Sequence, residues 1–173
     1  MKRAVIGFFC GWLLGIFGVF LFSNFSYMGI TMIEVFERIG DGFATSDISK
    51  TTAGFYEIFF FSFYFNFFSI FNPEIISTIN FVEMIFPPIM GWFFAGLISG
   101  ATVKGAKRGL INSVVIVVFT IVVWLCLAII SGANLTFVFA LNIVETFGGI
   151  FTVFLSSILG GILGGALSGE YID

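Results

Sequence analysis

The stretch Pro88–Ile130 reads PIMGWFFAGLISGATVKGAKRGLINSVVIVVFTIVVWLCLAII, two apolar runs joined by Lys104-Gly-Ala-Lys107-Arg108-Gly109. Leu110 to Ile130 is 21 residues without a formal charge. That is about 31 Å of helix at about 1.5 Å per residue, which matches a hydrocarbon core roughly 30 Å thick. The length predicts a membrane span. Lys and Arg beside span ends are retained in the cytoplasm, so Lys104, Lys107 and Arg108 predict that this hinge lies inside. The same three charges lie within reach of anionic lipid headgroups, at about 1 kcal/mol per charge.

Composition agrees with lipid as the solvent. The chain is 59% hydrophobic and 20% aromatic. Only 10% of it is charged, against about 25% in soluble domains. With no His, imidazole metal ligands, a His general base and Ser-His or Cys-His nucleophile pairs are excluded. No enzyme activity, cofactor or metal is expected, and nothing points to a nucleic-acid partner. Cys10 and Cys126 each sit inside an apolar run and at different depths, so they are expected not to pair but to pack as small polarizable residues.

Working outward, Pro88–Val103 descends to the basic loop as a second span, and residues 1–23 form the first. The apolar run Ala4–Phe22 has 19 residues, longer than the roughly 7–15 of a signal-peptide core, and no A-x-A-like site follows it. Phe147–Leu167 is the last span. These helices carry rows of small residues. They are Gly7, Gly11 and Gly15 in the first, Gly96 and Gly100 in the second, and the paired rows Ser156-Gly160-Gly164-Ser168 and Ser157-Gly161-Gly165-Gly169 in the last. Such rows let helix backbones approach closely, and they predict that the last helix is the centre of a bundle or an oligomer. The β-branched span from Leu110 is predicted to face lipid.

Residues 24–86 form an extracytoplasmic, Phe-rich insert with seven acids against Arg38 and Lys50. Ile30, Ile33, Phe36, Ile39 and Phe43 recur at helical spacing opposite Glu34, Glu37, Arg38 and Asp41, which predicts an amphipathic helix on the outer surface with a Glu34–Arg38 pair. Asp41–Lys50 reads as a turn. Phe55–Phe71 is long enough to cross the membrane. However, the basic N-terminus and the basic loop both belong inside, so an even number of crossings must separate them. An interfacial or re-entrant helix with a polar stripe of Ser62, Asn66 and Ser69 satisfies that count; a strand is the lesser alternative. Asn72-Pro73-Glu74 starts a further helix that Pro87-Pro88 ends. Asn142 and Glu145 form a reciprocal cap before the last span. The sequons at Asn24 and Asn134 fall on segments assigned outside, where glycosylation occurs.

Gly96-Leu-Ile-Ser-Gly100, Gly105-Ala-Lys-Arg-Gly109 and Gly160-Gly-Ile-Leu-Gly-Gly165 resemble the small, glycine-rich, four-helix membrane proteins common in archaea. The resemblance covers the last half of the chain. It implies a four-helix fold and, that family having no assigned activity, no functional residues.

The expectation is therefore an all-α polytopic membrane protein with four transmembrane helices (residues 1–23, then about 88–103, 110–130 and 147–167 within 87–173), a helical insert, and both termini cytoplasmic in the cell membrane. Its expected partners are membrane lipids and either copies of itself or other membrane subunits. The expected role is a non-enzymatic packing or scaffold subunit. The alternative is an oligomeric cation channel or small-solute pore, with the acidic insert at its mouth.

Overall fold

A computed structural model describes residues 2–63, 85–136, 139 and 143–169, with side chains described at all of these but 143–145. The elements are α1 (Lys2–Phe22), β1 (Ser26–Tyr27), β2 (Ile30–Thr31), α2 (Met32–Ala44), α3 (Ile48–Phe63), α4 (Phe86–Val103), α5 (Ala106–Ser131) and α6 (Ile143–Leu167). The two short strands pair antiparallel, with Ser26 opposite Thr31. Four helices are long and apolar enough to cross a membrane: α1, α4, α5 and the Thr146–Leu167 part of α6. The chain is thus an all-α polytopic membrane protein.

Local chemistry sets the helix ends. Pro87 and Pro88 stand in the first turn of α4, where a missing N–H removes no intrahelical bond. Pro88 thus opens the second span as the sequence predicts; the earlier helix expected to end at these prolines lies over residues 72–84, which, with Asn66 and Ser69, are outside the described residues. The α4–α5 turn needs two consecutive positive φ angles, 58° at Lys104 and 85° at Gly105. The second suits glycine alone among common residues. α5 stops at Gly132 (φ 75°), and the next amide, Ala133 N–H, donates back to Ala128 O at 2.9 Å, as in a Schellman end. α6 begins one residue after Asn142, whose side chain, like that of Glu145, lies outside the description.

Glycine contacts give the helix directions. Gly7 meets Ser99 and Val103, while Gly18 meets Gly91, so α1 runs antiparallel to α4. Gly96 lies on Ser157 and Gly100 on Gly161, so α6 is parallel to α4; Gly109 and Gly105 lie on Gly161 and Gly165, so α5 is antiparallel to α6. Lys2, Arg3, Lys104, Lys107 and Arg108 consequently share one end, the basic end. Asn24 and Asn134 follow the opposite ends of α1 and α5, and both are exposed.

The central helix is α4, which packs on α1, α5 and α6. α6, expected at the centre of a bundle or an oligomer, is not central within the chain: it packs on α4 and α5 and exposes Phe147, Phe151, Leu155, Leu159 and Leu163 on its other side. α5 does expose Ile111, Val115, Val118 and Val122. Its inward stripe of Gly109, Ser113, Ile116, Val117, Thr120, Trp124 and Ala128 is buried.

The insert departs most from expectation. α2 starts at Met32, behind the hairpin, and is capped by Thr31 and Glu34 in a reciprocal box. Glu34 is committed there, and Arg38 instead pairs with Glu57 at 2.7 Å. Of the apolar stripe within α2, only Ile39 is buried; Val35 and Gly42 join it against α3, and Ile33, Phe36 and Phe43 are exposed. The turn is only Thr45–Asp47, so the Phe-rich helix begins at Ile48, before Phe55. No strand forms in its described part.

Candidate functional site: the glycine junction and the aromatic wedge

α4 and α5 leave the basic loop in contact and separate towards their far ends. Near the loop, the hydrogens of Gly96, Gly100, Gly109, Gly160, Gly161, Gly164 and Gly165 face backbone atoms of a neighbouring helix. A Cβ at Gly160 would overlap the Phe93 carbonyl, one at Gly164 the Leu97 carbonyl, and one at Gly109 the Gly161 carbonyl. The Gly160/Gly164 row therefore seats on α4 and the Gly161/Gly165 row on α5. Gly105 N–H donates to Gly165 O at 2.9 Å, a backbone bond between segments 60 residues apart in sequence. On the other side of α4, a Cβ at Gly11 would lie 2.9 Å from Ala95 O, and one at Gly15 would lie 2.8 Å from the Trp92 ring.

Hydroxyls and one amide line this junction. Asn112 Nδ2 donates to Ser99 Oγ at 2.6 Å, joining α5 to α4. Thr120 and Thr152 return their hydroxyls to Ile116 O and Gly148 O of their own helices. The hydroxyls of Ser113 and Ser157, both fully buried, find no hydrogen-bond partner among the described residues. Ser113 Oγ sits where a Cβ on Gly161 would go. An unpaired buried hydroxyl costs about 1–3 kcal/mol.

Further from the loop, α3 fills the gap. Phe63 lies between Trp92 of α4 and Trp124 of α5, with ring centroids 6.1 and 5.2 Å away. Trp92 Nε1 donates to Ser62 O at 3.2 Å, and Ser62 Oγ donates to Ile16 O at 3.4 Å. Tyr56 stacks on Trp124 at 6.3 Å with an interplanar angle of 9°. Phe59 and Phe61 point to opposite sides, to Trp12 and Phe20. Because those two α1 residues are about 12 Å apart along their helix, α3 crosses α1 instead of running beside it.

The predicted glycines thus gather at two faces of α4. Lys104, Lys107 and Arg108 stand at the same end as Gly165, half-exposed or exposed. Cys10 and Cys126 are free and exposed. Ser99 and Ser157 were visible in the sequence as members of small-residue rows, whereas Trp92, Asn112, Ser113 and Trp124 escaped sequence reasoning because no spacing pattern marks them. Among the described residues no group of three His, Cys, Asp or Glu could hold a metal. No protein-family model, curated protein or solved structure matches the chain.

Proposed function

We propose that this chain is a non-enzymatic structural subunit of a membrane assembly, oriented with the basic end and both termini in the cytoplasm. The supporting observation is the closed junction. Backbone-on-backbone contact at Gly100, Gly109, Gly161 and Gly165 holds three helices in one geometry and covers the rows that would otherwise line a passage. With those rows occupied inside the chain, a partner would meet the bulky outer faces of α1, α5 and α6.

Extraction in a mild detergent followed by cross-linking tests the role. A defined homo-oligomer or a co-purifying membrane subunit is expected, and a monomer with no partner would overturn it. Orientation is tested with Ala106→Cys in a background lacking Cys10 and Cys126: labelling by an impermeant thiol reagent from outside intact cells would invert it. A conducting pore is the second reading, favoured by the Ser113 and Ser157 hydroxyls, which have no hydrogen-bond partner among the described residues. Ion flux from liposomes above that of protein-free controls would select it over the scaffold.

A further inference from the structure

We propose that the α2–α3 hairpin lies flat within the lipid leaflet opposite the basic loop, and that Ile33, Phe36 and Phe43 form a contact surface for lipid acyl chains. The proposal goes beyond the scaffold role and rests on the four-span architecture.

Two observations set the hairpin's tilt. Phe59 and Phe61 reach points of α1 about 12 Å apart from opposite sides of α3, and Tyr56 and Phe63, two turns apart, both meet the single residue Trp124. A helix making both sets of contacts crosses α1 and α5. α2 runs antiparallel beside it, as Gly42 meets Thr51 and Gly54 meets Ile39.

Depth follows from the spans. Ser62 bonds to Ile16 O, six residues before the end of α1, and Phe36 stacks on Phe17 at 6.3 Å. Both levels lie about 7–9 Å below that end at about 1.5 Å per residue. Amphipathic helices lying in the interface bury their apolar face about 5–10 Å, so the hairpin's depth is that of a headgroup–acyl boundary.

α2 carries three faces. Val35, Ile39 and Gly42 are buried on α3. Glu34, Glu37, Arg38 and Asp41 form a polar face, tied to α3 by the exposed Arg38–Glu57 pair. The third face is apolar and open, with Ile33 70%, Phe36 45% and Phe43 66% exposed. Through the Phe36–Phe17 stack this face continues into the exposed side of α1, at Leu13 and Leu21. Acyl chains that cover α1 therefore also cover α2, while its charges reach the headgroups.

The test uses nitroxide labels on Phe36→Cys, Phe43→Cys, Glu37→Cys and Asp41→Cys in a chain with Cys10→Ser and Cys126→Ser, reconstituted in phosphatidylcholine vesicles. Leu21→Cys supplies the lipid reference, and collision rates with oxygen and with a water-soluble nickel chelate are measured. Labels at 36 and 43 should match the reference, with an oxygen-to-nickel ratio several-fold above that at 37 and 41. Position 43 serves if a label at 36 disturbs the Phe17 stack. Equal ratios at all four sites, or labels at 36 and 43 shielded from both reagents as under a protein partner, would overturn the proposal.

Discussion

The two ends of the α4–α5 hairpin solve the same packing problem in opposite ways. At the basic end the helices touch through glycine hydrogens, with Gly109 against Gly161 and Gly105 bonded to Gly165. At the far end they part, and Trp92, Trp124 and Phe63 occupy the space with rings 5.2–6.1 Å apart. In lipid, apolar burial gives little drive for helices to associate, so van der Waals contact and interhelical hydrogen bonds carry the packing. Contact can come from removing side chains until backbones meet, or from inserting a third element whose large rings fill the gap. The first tolerates no added atom, and the second tolerates no lost one.

The sharpest way to break this contrast is to add atoms at the glycine end. Gly161→Leu puts a side chain onto Gly109 O and Ser113 Oγ, and backbone cannot rotate aside. Overpacking ordinarily costs about 1–3 kcal/mol, and the loss here should meet or exceed the top of that range, with no monodisperse protein recovered from detergent. Gly40→Ala, in α2 with nothing near its absent Cβ, should leave melting unchanged or raised, by up to about 1 kcal/mol, because helical glycine is entropically costly.

Removing atoms at the aromatic end comes next. Trp92→Ala deletes a fully buried ring and the donor to Ser62 O. Aromatic-to-alanine changes cost about 3–5 kcal/mol in water-soluble cores; with lipid as the reference solvent the lower end is expected. The loss should appear as a lower detergent melting temperature and as faster proteolysis within residues 45–47, where α3 is tethered. A melt unchanged by Trp92→Ala would show that α3 does not hold the gap.

How much of this was legible follows from the same contrast. The spans were visible because a hydrocarbon core demands length, and the glycine rows because i, i+4 spacing reports one helix face. The wedge was not. Nine Phe among the 17 residues Phe55–Phe71 surround the thin stripe of Ser62, Asn66 and Ser69, which names no neighbour for the helix, and the contacts of Phe59, Phe61 and Phe63 are what show that it crosses α1 and α5. α2 misled for a different reason: its apolar residues belong to two faces, Val35 and Ile39 on α3 and Ile33, Phe36 and Phe43 in the open, which a single stripe merges. Arg38 finds Glu57, 19 residues away, beyond any helix-neighbour rule.

A smaller effect separates the hairpin from the bundle. Thr31 N–H donates to the Glu34 carboxylate at 2.7 Å, and Glu34 N–H to Thr31 Oγ1 at 3.3 Å. The bond from the Thr31 backbone, then its hydroxyl, holds the Glu34 pKa below its ordinary value. A carboxylate with a lowered folded pKa stabilises above its unfolded pKa, and that stabilisation is lost as pH falls through the folded one. Acidification should therefore loosen the start of α2 in hydrogen exchange while the spans stay protected. Thr31→Ala should cost about 1 kcal/mol as a lost cap but keep most of that pH dependence, which rests first on the Thr31 backbone N–H, whereas Glu34→Gln should remove it.

The smallest expected change decides what the glycine junction's hydroxyls do. Ser99→Ala strips Asn112 of its partner, and a part-buried amide left unpaired costs about 1 kcal/mol. Ser113→Ala removes a hydroxyl that has no partner among the described residues, so it should be neutral or slightly stabilising. If Ser113→Ala instead destabilises the protein as much as Ser99→Ala does, the hydroxyl holds a water or an ion in the membrane. The junction would then be a polar site and not a closed joint, which is the outcome the pore reading requires.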